Sequence, residues 1–94
     1  MPLTFEWDLR KARLNLAKHG VAFEEASTIF GDSLSLTIPD PEHSRMERRH
    51  ITMGTAFNGK LLVVVHTDRG DNIRIISARR ANRRERKFYE ETIE

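Results

Sequence analysis

Three β-prone segments joined by two tight turns constrain this chain more than any other feature of its sequence. The segments are HITMGTAF, LLVVVHT and IRIISA, and the turns between them are NGK and DRGDN. Asn-Gly between two β-prone runs favours a tight hairpin, because its residues tolerate the positive φ that such turns need. Residues 50–78 therefore predict a three-stranded antiparallel meander.

The segments before the meander read as strand, helix, helix and strand. LTFEW predicts a short strand, Asp8 is placed to cap a helix that ends at Gly20, and VAFEEASTIFGD predicts a second helix that ends at Gly31. SLSLTI alternates in polarity and predicts a strand. The apolar face of the first helix would consist of Leu9, Ala12 and Leu16.

A polar connection and a last helix complete the predicted order. PDPEHSRMERR predicts a loop or a wide hairpin connection, and Asn82 with Glu85 has the spacing of a capping box at the start of a helix. The order β-α-α-β-β-β-β-α predicts a single α+β domain over residues 1–94. Its helices would pack on one face of a small antiparallel sheet.

Composition excludes several classes of protein. Hydrophobic residues make up 38% of the chain and charged residues 32%, which suits one compact domain with a charged surface. The chain has no cysteine, which rules out disulfides, a thiolate nucleophile and a thiolate metal site. The N-terminus MPLTFEWD does not resemble a signal peptide, and no segment has the length of a membrane span. We therefore expect a soluble, cytoplasmic protein.

Charge is segregated along the chain although the net charge is only +2. Residues 21–42 hold five acids and no Lys or Arg, whereas basic residues collect in 10–18, 45–49 and 74–87. The last of these ranges contains one acid, Glu85. Such segregation favours a cationic face that binds polyanions. The alternative is a set of solvated basic side chains on helix flanks.

Three blocks of sequence resemble the BrnT family of bacterial type II toxins. They are FEWDLRKARLNLAKHGVAFEEA, ERRHITMG and RIISARRANRRERKFYE, which together extend over residues 5–90. The most specific part is the N-terminal pattern W-D-x-x-K-A-x-x-N-x-x-K-H-G-V. The resemblance implies a RelE-like fold and a cytoplasmic ribonuclease toxin that inhibits translation by cleaving RNA without a metal ion or other cofactor.

The same resemblance implies a protein partner. In the BrnT family this is a BrnA antitoxin with a ribbon-helix-helix DNA-binding region. Toxin and antitoxin would form a 2:2 heterotetramer that binds operator DNA through the antitoxin.

Metal-free RNA cleavage needs positive charge beside the phosphate and groups that accept and donate protons. Arginine suits the first role because its planar fork engages two phosphate oxygens. Strict alternation would place Arg74 and Arg80 on one face of the sheet and Arg79 on the other, unless a bulge intervenes. The catalytic candidates are Arg74, Arg79, Arg80, His66, Glu85 and Tyr89.

Each proton-transfer candidate also has a structural interpretation. His66 could be a hydrogen-bonded residue at the end of the sheet, Glu85 a helix cap, and Tyr89 an anchor for the last helix. Positive side chains suited to the RNA backbone are Lys18, Arg48, Arg49, Arg83, Arg84 and Lys87. None of the four histidines has the spacing of a metal-ligand pair, so no metal site is expected.

Two non-catalytic functions remain open on the residues alone. The basic C-terminal cluster would serve equally in a nucleic-acid-binding module or in a domain that binds an acidic protein. No helix-turn-helix, RNP or zinc pattern supports the first of these. Substitution separates the possibilities, because loss of a catalytic arginine abolishes cleavage whereas loss of a phosphate contact weakens binding and its salt dependence.

Overall fold

The computed structural model describes residues 3–40 and 48–92 as one five-stranded sheet with helices on both of its faces. The strands are β1 (Thr4–Glu6), β2 (Leu36–Pro39), β3 (Arg49–Thr55), β4 (Leu61–Arg69) and β5 (Asn72–Arg80). The helices are α1 (Leu9–His19), α2 (Phe23–Ser27) and α3 (Arg83–Thr92), and a 3₁₀ turn spans Thr28–Gly31. The predicted α+β class and order of elements are confirmed.

The strands lie side by side in the order β1-β5-β4-β3-β2. Strands β2 to β5 pair antiparallel, as the turn signals predict, but β1 pairs parallel with β5, where Phe5 lies opposite Ile73. Parallel neighbours need a long crossover connection, and residues 7–71 supply it. The sheet is therefore mixed and not wholly antiparallel.

A bulge in β5 resets the alternation of its side chains. Val65 lies opposite Ser77, but the next residue, His66, lies opposite Ile75, which leaves Ile76 as an extra residue. Residues on the two sides of the bulge therefore exchange faces relative to strict alternation. Arg74 and Arg79 share one face of the sheet, and Arg80 lies on the other.

The core lies between one face of the sheet and the segment from α1 to the 3₁₀ turn. Its buried side chains on the sheet include Leu62, Val64, Ile75 and Ala78, and those facing them are Val21, Phe23, Ala26 and Ile29. Acids in the first turn of α2 complement the positive end of its dipole. The predicted second helix ends early, because the hydroxyls of Ser27 and Thr28 donate hydrogen bonds to the carbonyls of Glu24 and Glu25.

Helix α1 has the predicted ends but not the predicted buried face. The Asp8 carboxylate accepts a 2.9 Å hydrogen bond from the Lys11 N–H, and Gly20 adopts a φ of 70° at the C-terminus. Leu9 and Leu16, however, are 69% and 51% exposed. The buried residue of α1 is the polar Asn15, whose hydrogen bonds to backbone replace the apolar contacts that periodicity predicts.

Helix α3 covers part of the opposite face of the sheet. Phe88 of α3 lies beside Leu36, Ile38, Ile51 and Met53, which alternate with residues that face the core. Strand β4 explains this arrangement, because its run LLVV is buried on both faces of the sheet and needs cover on both. Helices thus pack on two faces, where one was predicted.

Two further predictions concern the polar connection and membrane-spanning segments. The connection predicted for PDPEHSRMERR lies outside the described residues over 41–47. No helix in the described ranges is long and apolar enough to cross a membrane.

Candidate nucleic-acid interface

Strand β5 carries its arginines to two ends and two faces of the sheet. Arg74 lies opposite Thr67, and Arg80 lies opposite Leu62. Because of the bulge, their partners on β4 are five residues apart, so about 17 Å of sheet separates the two Cα atoms. Arg74 and Arg80 therefore cannot hold the same phosphate, and the structure does not bring the three candidate arginines together.

Arg79 is held by Glu85 in a two-pronged ion pair. Its Nη1 and Nη2 atoms donate to Glu85 Oε1 and Oε2, each at 2.8 Å. Glu85 Oε1 also accepts from the Asn82 N–H at 2.9 Å, and the Glu85 N–H donates to Asn82 Oδ1 at 2.8 Å. The Arg79 guanidinium lowers the pKa of Glu85, so that the carboxylate stays charged and caps α3.

Arg74 joins the first strand to the last. Its Nη1 atom donates to Glu6 Oε2 at 2.8 Å, while Asn72 Nδ2 donates to Glu6 Oε1 at 3.0 Å. The hydrogen bond from Asn72, followed by that from Arg74, lowers the pKa of Glu6. The contacts of Arg74 are thus those of a strand-pairing residue.

His66 lies inside the protein on the core face. Its Nε2 atom is 2.7 Å from Thr52 Oγ1, and its ring meets that of Phe30 edge to face with centroids 4.9 Å apart. Within residues 3–40 and 48–92, its Nδ1 atom has no hydrogen-bond partner. Burial, followed by repulsion from His50, lowers the pKa of His66 to about 4. This imidazole is neutral near pH 7, and RNA cannot reach it without rearrangement.

Tyr89 ties α3 to the segment that follows the 3₁₀ turn. Its hydroxyl donates to Asp32 Oδ2 at 2.6 Å, and Asp32 also accepts from the N–H groups of Thr55 and Leu34. Burial and the bond to Asp32 raise the pKa of Tyr89. Although burial opposes it, the hydrogen bonds from Tyr89 and Thr55 lower the pKa of Asp32.

Tyr89→Phe is expected to lower the free energy of unfolding by about 2 kcal/mol, the usual worth of a hydrogen bond to a charged group. Urea denaturation followed by circular dichroism measures the loss. If Tyr89 only anchors α3, the variant cleaves RNA as the parent does at temperatures where both are folded. Loss of cleavage with unchanged stability would instead make Tyr89 a catalytic residue.

Asn15 fixes α1 along β5. It is the N of the pattern W-D-x-x-K-A-x-x-N-x-x-K-H-G-V, but helical periodicity did not predict its burial because periodicity identifies apolar residues at buried positions. Its Nδ2 atom donates to the carbonyls of Ala78 (2.8 Å) and Val21 (3.0 Å), and its Oδ1 atom accepts from the Ala78 N–H (3.0 Å).

Asp8 lies just before α1 and is near Arg74, at the start of β5. The hydrogen bond from the Lys11 N–H lowers the pKa of Asp8, and the positive charge of Arg74 lowers it further. Helix α1 therefore runs in the direction of β5.

This alignment brings the end of α1 level with the end of β5. From Asn15 to Lys18 and His19 the helix rises about 5 Å, and from Ala78 to Arg80 the strand advances about 7 Å. Arg80 shares the face of Ala78, which is the face that α1 covers. We call this group, with the first residues of α3, the basic rim; its members are Lys18, His19, Arg80, Arg83 and Arg84.

The first turn of α3 adds positive charge where a helix does not favour it. Arg83 and Arg84 occupy the N-terminal end, whose dipole is already positive. Among the residues that the structure describes, no carboxylate pairs with Arg80, Arg83 or Arg84, and all three are exposed. Unpaired cations at the N-terminal end of a helix suit the binding of an anion such as phosphate.

The other predicted RNA contacts lie away from the basic rim. Arg49 lies opposite Thr67, at the far end of the sheet, and the Arg48 carbonyl accepts a hydrogen bond from the Thr67 hydroxyl. Lys87 lies on α3, 4.0 Å from Glu91. In the described ranges, no three His, Asp or Glu side chains gather as a metal site would require.

Comparison with known proteins identifies a family and a similar solved structure. The model of a family described as "Ribonuclease toxin, BrnT, of type II toxin-antitoxin system" matches residues 7–85. The fold matches the crystal structure of the Brucella abortus ribonuclease toxin BrnT with a TM-score of 0.68 and 21% sequence identity, over 87% of this chain and 100% of that one. No significant match was found among curated proteins.

Proposed function

Because this chain belongs to the BrnT family of ribonuclease toxins of type II toxin–antitoxin systems, we propose that it cleaves RNA at the basic rim without a metal ion and thereby inhibits translation. The observation that carries this proposal is the division of the arginines into paired and unpaired groups. Arg74 and Arg79 are held by carboxylates, whereas Arg80, Arg83 and Arg84 have none within the described residues. The unpaired group is the one beside the end of α1.

Each member of the basic rim has a proposed role. Arg80 stabilises the charge that develops on the phosphate during attack of the 2′-hydroxyl. Lys18, Arg83 and Arg84 hold the RNA backbone on either side. His19 is the proton-transfer group, since an imidazole can both accept and donate a proton.

The other residues that the sequence suggested as catalytic have structural roles in this proposal. Arg79 and Glu85 fix the first turn of α3, and Tyr89 fixes its far end through Asp32. Arg74 holds β1 on β5. His66 supports the core from within.

Arg80→Ala is expected to lower the rate of RNA cleavage by about a hundredfold, because one charged donor to a developing anion is worth that much. The assay is cleavage of end-labelled RNA by purified protein in EDTA. Arg69→Ala is the matched control, since Arg69 is an exposed arginine at the opposite end of the sheet.

Arg84→Ala should weaken RNA binding and reduce by about one the slope of log affinity against log salt concentration.

Three other results would change the assignment. Equal cleavage by the Arg80 and Arg69 variants would move the site away from the basic rim. Cleavage by the parent that EDTA abolishes would contradict metal independence. If the parent binds RNA but leaves it intact, with or without ribosomes, a nucleic-acid-binding module is the better function.

We further propose that the antitoxin of this system is a BrnA-like ribbon-helix-helix protein, and that both act in the cytoplasm. Two toxins and two antitoxins would form the complex, which binds operator DNA through the antitoxin. Membership of a type II family supports the existence of an antitoxin partner. Light scattering of the co-purified complex gives its stoichiometry, and a gel-shift assay with operator DNA tests the rest.

A further inference from the structure

An apolar groove lies between α1 and α2. Its volume is about 220 Å³. The side chains that form it include Trp7, Leu9, Leu16 and Phe23, together with the charged residues Arg13 and Glu24. The groove is separate from the basic rim, apart from sharing α1.

The groove follows the most regular apolar pattern in the helix. Leu9, Ala12, Arg13 and Leu16 all line it and are spaced as one helical face. Periodicity would place that face in the core, yet its leucines are 69% and 51% exposed because Asn15 turns a different face to the sheet. Adjacent large apolar side chains left exposed mark a surface that binds another molecule.

The charge around the groove restricts what can bind there. Helix α1 carries four exposed basic residues and no acid: Arg10, Lys11, Arg13 and Lys18. A second copy of this chain related by a two-fold axis would bring α1 against α1 and oppose like charges. RNA phosphates gain nothing from a pocket of leucine and tryptophan. An amphipathic protein helix can place its apolar side chains in the groove and pair its acidic side chains with the basic residues of α1.

We propose that this groove is the docking site for an amphipathic helix of the antitoxin, which places apolar side chains on Trp7, Leu9 and Leu16 and an acid against Arg13. This assignment rests on the proposed toxin function for the identity of the partner. Because the groove is separate from the basic rim, antitoxin binding and RNA cleavage depend on different side chains of the toxin.

The test compares Leu9→Gln/Leu16→Gln with Leu14→Gln. All three leucines are exposed on the same helix, but Leu14 does not line the groove, so Leu14→Gln controls for the loss of an exposed leucine outside it. Affinity for the purified cognate antitoxin is measured by calorimetry, and folding by circular dichroism. The double variant is expected to bind at least about tenfold more weakly, whereas Leu14→Gln binds as the parent does.

Trp7 supplies a direct report because it is the chain's one tryptophan. Toxin labelled with 5-fluorotryptophan gives a single ¹⁹F resonance, which should shift when unlabelled antitoxin is added. Arg13→Glu should lower the affinity further and reduce its sensitivity to salt. A parent that does not bind antitoxin, equal affinity in all variants, or an unmoved Trp7 resonance would overturn the proposal.

Cleavage assays on the same proteins separate this proposal from the proposed function. The double variant should cleave RNA as the parent does. If it loses cleavage but keeps its affinity for antitoxin, the groove belongs to the RNA interface and the docking assignment fails. If no protein cleaves RNA but the double variant alone loses antitoxin, the ribonuclease proposal fails and the docking site stands.

Discussion

Asn15→Ala is expected to lower the free energy of unfolding by roughly 3 to 5 kcal/mol, a large share of the stability of a domain of this size. The substitution leaves three backbone groups without partners: the N–H and C=O of Ala78 and the C=O of Val21. Each is buried, so its lost bond is not regained from water. Urea denaturation followed by circular dichroism measures the change.

Leu14→Ala is the control for Asn15, since it removes an exposed side chain from the adjacent position of α1. Its effect should stay within about 0.5 kcal/mol. A loss of under about 1 kcal/mol in Asn15→Ala would show that water enters and satisfies the three groups. Asn15→Ala protein that remains folded at low temperature should also cleave RNA poorly, because the end of α1 is no longer held beside Arg80.

Acidification from pH 6.5 to pH 4 is expected to cost the fold roughly 3 kcal/mol through His66 alone, in addition to the cost from carboxylates. The pKa of His66 falls from 6.5 to about 4 in the folded protein, because burial disfavours the charged ring. Above pH 6.5 the imidazole is neutral in both folded and unfolded chains and has no effect. Below that pH the unfolded chain binds a proton at His66 that the folded chain does not bind. The free energy of unfolding therefore decreases until the folded imidazole is protonated as well.

His66→Gln separates this effect from the carboxylates. Glu6, Asp8, Asp32 and Glu85 also have lowered pKa values, so both proteins lose stability in acid. The difference between parent and variant isolates the histidine, and it should change by about 3 kcal/mol over the interval. Parallel pH curves for parent and His66→Gln would contradict the buried, neutral ring.

Turns and caps were the predictable part of this fold because they depend on a few neighbouring residues. Asn58-Gly59, the Asp8 cap and the Asn82–Glu85 capping box are all local chemistry, and the structure contains each of them. The parallel partner of β1 was not predictable from such signals, because it depends on a strand about seventy residues away.

The candidate site was less predictable than the fold for a related reason. Sequence identifies the arginines of β5, but the residue that aligns α1 with them is a buried amide with no apolar signature. The face of the sheet on which each of these arginines lies depends on the bulge at Ile76, and the alternation of side chains does not predict that bulge. His66 and Tyr89 have the right chemistry for proton transfer, yet their contacts are with Thr52 and Asp32 inside the fold.

Ile76 adds one residue to β5 that has no partner on β4, so the two strands differ in length over the same stretch. Deleting Ile76 would place Ser77 directly after Ile75 and close the bulge, while Arg79 and Arg80 would keep their present faces. If Ile76 instead entered regular pairing with β4, every residue after it would change face, so that Arg79 would turn toward α1 and Arg80 toward α3. A chain without the extra residue would therefore keep the same division into a paired and an unpaired arginine.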